Sequence, residues 1–253
     1  MHEPIRASAN ARLRHPELHL RQFTGAEEGL NGADWEWWIG NDEEGWLALR
    51  IQAKKWSSGG YEELTYKSRR ENRIQCRVLV EEAVREAAGR ALHTLYCFYN
   101  GWDETTGWPD GVPWEVGCSQ PANCPTVPAV DVFGCALAPA QQVLEMLETH
   151  PAPKDATATL PKQRPWSWLF RSPFGSELTP SPASLALDAV ETQISITFPL
   201  MEQGMQRFER LPTYAWAVRE RWSPAQTAEI ASEVPASYVL IADLAPTRRQ
   251  DDF

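Results

Sequence analysis

The chain has 253 residues, 43% of them hydrophobic and 23% charged, with a formal charge of −10. That balance is ordinary for a soluble globular protein and leaves ample material for a core. No stretch approaches the roughly 20 apolar residues of a membrane-spanning helix, and the acidic surplus argues against indiscriminate nucleic-acid binding. The opening MHEPIRASANARLR lacks the apolar run of a secretory signal. Five cysteines without a compact framework fit reduced thiols, so the cytoplasm is the expected compartment.

Residues 5–14 read as a short helix that ends before His15-Pro16, where proline disfavours helical geometry. His19 to Phe23 alternates as a first strand. After a turn at Gly29 to Gly32, Ala33 to Ile39 reads as a tryptophan-rich strand. Asn41 to Gly45 has hairpin length and polarity, and Trp46 to Ala53 alternates as the partner strand. Ser57-Ser58-Gly59-Gly60 is a flexible break. From about Asn72 to Leu92, the apolar positions Val78, Leu79, Ala83, Val84, Ala87 and Ala91 recur at helical spacing. Thr94 to Tyr99 is a further strand, closed by Asn100-Gly101. Helix, strand pair, helix, strand is the order of a small α/β core.

Beyond residue 101 the texture changes. Eleven of the 20 prolines fall between Pro121 and Pro182, which predicts long irregular connections. Helices are expected over 139–149 and 214–222, and a strand over Ser237 to Leu244. Residues 183–200 fit helix or strand, and Thr247 to Phe253 read as a polar tail. The expected organisation is a core over 1–110, with residues 111–253 forming a C-terminal half packed on the same domain.

Asp34 and Glu36 lie two apart on a predicted strand, so their side chains share one face and Trp35 and Trp37 take the other. On the next strand Gln52 and Lys54 share a face, opposite Ile51 and Ala53. If the strands pair, two carboxylates, an amide and an ammonium group converge. That set suits phosphodiester hydrolysis with a hard divalent cation, Mg²⁺ or Mn²⁺, which takes oxygen ligands and keeps several waters. Asp34, the Gln52 side-chain oxygen and the Ala53 carbonyl are the candidate metal ligands, and Lys54 is the cation that meets the charge on phosphorus. From Arg50 to Arg77 there are eight basic residues and three acidic ones. Among them Lys55, Arg69, Arg70 and Arg73 are candidate phosphate contacts. The plain alternative is a salt bridge between Asp34 and Lys54 on an inert sheet. Such a pair has no need of Gln52 and Glu36 on the same face.

Asp34 followed by Gln52-Ala53-Lys54 resembles the active site of PD-(D/E)XK nucleases in the glutamine-for-acid variant, as in Mrr-type restriction endonucleases. Gln75 resembles the start of the supporting QxxxY-type motif, with Leu79 where that motif has an aromatic residue. The resemblance implies a restriction-endonuclease-like mixed sheet flanked by helices, with a proline-rich C-terminal extension. It also implies Glu36 and Gln75 as supports, and an acid on the first helix, for which Glu3 is the candidate. GADWEWW (32–38), IQAKK (51–55), LYCFYN (95–100), FGCA (133–136), PWSWL (165–169) and LPTY (211–214) together resemble a bacterial family of unknown function over almost the whole chain.

Other signals are weaker. Twelve tryptophans suit core packing better than base or carbohydrate stacking. Cys118, Cys124, Cys135 and His150 lack the close pairs of structural zinc sites. His15 and His19 lack an accompanying acid. Ser167 lacks a nucleophile elbow.

The expectation is therefore a metal-dependent nuclease acting on nucleic acid, DNA ahead of RNA. It fits a defence effector against phage or plasmids that works as a homodimer or with an activating partner protein. The alternative is a catalytically silent module of the same fold that binds nucleic acid, a nucleotide signal or a protein.

Overall fold

A computed structural model describes residues 18–22, 33–57, 60–67, 72–101, 115–116, 127–128, 134–151, 153–166, 191–192, 194, 206–230 and 234–243. The expected helix over 5–14, most of 183–200 and the tail from 247 lie outside them. So do Glu3, His15, Arg69, Arg70, Cys118, Cys124 and Ser167.

Strands β1 (Leu18–Gln22), β2 (Ala33–Asn41) and β3 (Gly45–Lys55) are followed by helix α1 (Gln75–Ala87) and β4 (Leu92–Tyr99). Short strands β5 (Glu115–Val116) and β6 (Val127–Pro128) pair with each other. Then come β7 (Cys135–Pro139), α2 (Ala140–Thr149), the turn α3 (Ala156–Thr159), β8 (Arg164–Pro165), α4 (Thr213–Arg219), α5 (Pro224–Ala228) and β9 (Ala236–Asp243). Seven strands form one mixed sheet in the order β1-β9-β2-β3-β4-β7-β8. This is the mixed α/β class expected, consistent with a restriction-endonuclease-like arrangement. Strands on both sides of residue 110 alternate within it, and β9 lies between β1 and β2.

The β2–β3 hairpin is local. Asn41 Oδ1 accepts from the backbone N–H groups of Glu43 and Glu44 at 2.9 and 2.8 Å, a side-chain mimic of a turn. Gly40 closes the hairpin at φ +151°, where a Cβ would stand 2.1 Å from the Gly45 carbonyl oxygen. The register pairs Glu36 with Arg50 and Trp35 with Ile51. β3 then runs parallel to β4, which pairs Gln52 with Tyr96 and Lys54 with Phe98.

Period-2 alternation sorts these strands into two faces. Leu47, Leu49, Ile51, Leu95, Cys97 and Leu137 pack together on one, joined by Trp35, Trp37 and Trp166. Trp35 and Trp166 stack at 5.5 Å between centroids, with Trp37 edge-on to Trp166. The other face meets the helices. There Trp38, Trp46 and Ala48 pack with Ala83 and Ala87 of α1 and with Tyr214, Ala215 and Val218 of α4. Tyr96 and Phe98 pack with Cys76 and Leu79 of α1 and with Val143 and Leu144 of α2.

Two details of α1 differ from the sequence reading. The helix starts at Gln75, because Asn72 takes φ +53° and Ile74 is extended. Val84, which the periodicity placed on the apolar face, is 71% exposed, while Glu82 is buried. The apolar stripe runs through Cys76, Leu79, Ala83 and Ala87, at spacings of three and four. Val84 falls one position, about 100°, beyond it. Ala91 lies past the helix, which exits through Ala88 and Gly89 at φ +48° and +86°. Among the described residues no helix is long and apolar enough to cross a membrane.

Candidate active site

On the helix-covered face, β2 and β3 bring together what their spacing suggested. Asp34 Oδ2 accepts hydrogen bonds from Gln52 Nε2 at 2.5 Å and from the Ala53 N–H at 2.7 Å. Gln52 Nε2 also lies 3.2 Å from the Ala53 carbonyl oxygen. One residue further, Lys54 Nζ donates to Gln75 Oε1 at 3.0 Å, so the first residue of α1 holds the ammonium group. Gln52 and Lys54 are almost wholly buried, at 3% and 5% exposure, whereas Asp34 and Gln75 are half-buried at the rim.

Lys54 thus sits under α1 with an amide oxygen as its hydrogen-bond partner, and no carboxylate is placed within ion-pair distance of it among the described residues. Burial pulls its pKa below the usual lysine value, and the charges of Asp34 and Glu63 pull it part of the way back. The plain Asp34–Lys54 bridge is therefore replaced by two separate links, Asp34 to Gln52 and Lys54 to Gln75.

The donor set can be tested against a divalent cation. Asp34 offers a carboxylate, Ala53 a carbonyl, and Gln52 an amide whose Oε1 is buried without a hydrogen-bond partner. Among the described residues no three His, Cys, Asp or Glu side chains gather into a cluster. That excludes a zinc-type cage there. It suits Mg²⁺, which needs only one or two carboxylates and fills its shell with water and phosphate oxygens. The residues fit such an ion once the Gln52 amide turns its oxygen, not its nitrogen, toward Asp34 and the Ala53 carbonyl.

Several expected contributors sit elsewhere. Glu36 shares the face but belongs to another cluster, fully buried. It accepts from Arg50 Nε at 2.8 Å, Trp38 Nε1 at 2.7 Å and the Tyr214 hydroxyl at 2.6 Å. Arg50 reaches Glu86 of α1 as well. Burial alone would weaken Arg50's hold on its proton, but Glu36 and then Glu86 outweigh it and push the pKa up. Glu36 is thus a structural anchor for α4 and α1, not a support of Asp34. Lys55 lies at the exposed end of β3, on the opposite face from Lys54 by alternation. Arg73 pairs with Glu81. Cys135 lies 3.4 Å from Cys97 Sγ in the opposite layer, away from the end of α2 that His150 caps.

Tyr96 and Cys76 enter the site without having been singled out. Tyr96 is fully buried on β4 beside Gln52, and its hydroxyl has no hydrogen bond of proper geometry among the described residues. Cys76 Sγ donates to the Ala140 carbonyl at 3.3 Å and offers Tyr96 only a weak acceptor. Burial pushes the Cys76 thiol up to about 12. The alternation of LYCFYN could have placed Tyr96 on the Gln52 face, but only the parallel register sets the two side by side.

Residues 10–245 match a family described as a family of unknown function (DUF6615). The chain belongs to that family. No curated protein and no solved structure matches the chain. The breadth of the match, from before β1 to beyond β9, agrees with a sheet whose strands come from both halves of the sequence.

Proposed function

We propose that this family member is a metal-dependent nuclease of the PD-(D/E)XK type, in its glutamine variant, acting on DNA ahead of RNA. The observation that carries the proposal is the pair of links Asp34–Gln52–Ala53 and Lys54–Gln75, set side by side at the start of α1. Against a plain salt-bridge reading, among the described residues the buried Lys54 has no carboxylate within ion-pair distance and Gln52 Oε1 has no hydrogen-bond partner. An incoming phosphate and a cation would satisfy both.

In this reading Asp34, Gln52 and the Ala53 carbonyl hold Mg²⁺ or Mn²⁺. Such an ion, when bound, would supply polarisation of the phosphate and an acidified water. Lys54 then donates to a non-bridging phosphate oxygen and offsets the charge that builds on phosphorus. Gln75 keeps the ammonium group aimed by accepting a hydrogen bond from one of its three N–H groups, leaving the others to donate to substrate. The absence of acidic residues in the first turn of α1 favours an anion at that end.

The test is incubation of plasmid, single-stranded DNA and RNA with Mg²⁺ or Mn²⁺. The wild type should cut at least one of them, and Lys54→Met, which keeps the apolar stem, should lose about 100-fold or more in rate. Equal cutting by both proteins removes the role given to Lys54. Retained nucleic-acid binding with no cutting by either favours the silent module, the reading supported by the scarcity of carboxylates at the site.

A further inference from the structure

Gln52 presents its nitrogen, not its oxygen, to Asp34 and Ala53. A cation between those oxygens would repel an NH₂ group, so Gln52 can ligate only after its amide turns over and exchanges its two ends. Whatever lies on the far side of the amide must then meet an oxygen in one state and a nitrogen in the other.

β4 supplies such a group. Tyr96 is the register partner of Gln52 on the parallel neighbour strand and shares its face. Gln52 Oε1 and the Tyr96 hydroxyl are both buried; among the described residues the first has no hydrogen-bond partner and the second has only the weak acceptor Cys76 Sγ. Two poorly satisfied polar atoms on adjacent side chains are costly, since a buried polar group gives up its hydration and gains no full hydrogen bond in return. A hydroxyl both donates and accepts, so it can serve either end of an amide.

We propose that Tyr96 is a positioning residue that holds both settings of the Gln52 amide through one shared water, since no direct hydrogen bond joins the two side chains. The water passes a hydrogen bond to Oε1 when the site is metal-free and accepts one from Nε2 when Oε1 ligates the metal. This rests on the metal site proposed above.

The test uses the full chain and Mn²⁺ alone, titrated by electron paramagnetic resonance, with metal-free thermal melts alongside. Asp34→Asn should abolish specific binding. Tyr96→Phe should weaken Mn²⁺ about tenfold, the usual scale for a group that orients a ligand, and lower the metal-free Tm by ~2–4 °C. In a Gln52→Met background the same change should leave Tm unmoved or raise it. Wild-type Mn²⁺ affinity in Tyr96→Phe, or a melt at or above the wild-type temperature, overturns the role of Tyr96 and leaves the metal site standing. An equal loss of Tm in both backgrounds overturns it too, as plain packing. If the wild type itself binds no Mn²⁺, the metal site and this inference fall together.

Discussion

Two positions apart on β2, Asp34 and Glu36 face the same helices and end in different networks. Asp34 stays half-open and accepts from Gln52 and the Ala53 N–H, while Glu36 is sealed with Arg50, Trp38 and Tyr214. Removing one partner of a buried ion pair leaves the other uncompensated. Glu36→Gln should therefore cost about 3–5 kcal/mol in urea unfolding. Replacing both Glu36 and Arg50 by apolar residues of similar volume should recover much of that loss, and a Glu36→Gln cost near zero would contradict the role assigned to the pair. His93 makes a pH-dependent contribution. Burial pulls its pKa below 6.5, with Glu191 acting weakly the other way. The unfolded chain then binds its proton at a higher pH than the folded one. Stability contributed by neutral His93 is present above about 6.5 and is lost as pH falls through the window down to the folded value. A Tm-versus-pH profile should slope across that window in the wild type and flatten there in His93→Gln.

At the scale of elements, α1 does three jobs. Its first residue holds Lys54, its apolar stripe covers β3 and β4, and Glu86 near its end reaches Arg50. Its exit is strained, because Ala88 occupies the left-handed region at φ +48°. Ala88→Gly should stabilise the protein by about 0.5–1 kcal/mol, read as a rise in Tm, since glycine takes that conformation without a Cβ clash. Val84→Gln, on the solvent side of the same helix, should change stability by no more than about 0.5 kcal/mol. A large loss there would mean that the exposed face of α1 is covered by something else.

At the scale of the molecule, β9 separates β1 from β2, and β7 covers the far side of β4. A chain ending at residue 110 would keep the site residues and expose two sheet edges in place of β9 and β7. Unpaired edges template aggregation. Residues 1–110 expressed alone should lack a cooperative melt and aggregate, as judged by calorimetry and light scattering. A monomeric, cooperatively melting fragment would show that the first half folds by itself and that β9 only decorates it.

The sequence by itself determined what short-range geometry controls. Alternation put Asp34 with Glu36 and Gln52 with Lys54 on common faces, the Asn41–Gly45 hairpin aligned the two strands, and Gln75 fell on the next helix. Those regularities need only a period and a turn. Tertiary structure decided the rest. Arg50 faces Glu36 across the hairpin register, but the Tyr214 hydroxyl that completes its network comes from α4, 178 residues on, and follows from no local pattern. Tyr96 joined the site because a parallel register fixes which residue of β4 faces Gln52, and parallel pairing is set by the crossover and the packing of α1, not by a turn. The insertion of β9 was equally out of sight. A buried strand carries the same apolar signature wherever in the sheet it lies, so its neighbours are chosen only when the whole sheet assembles.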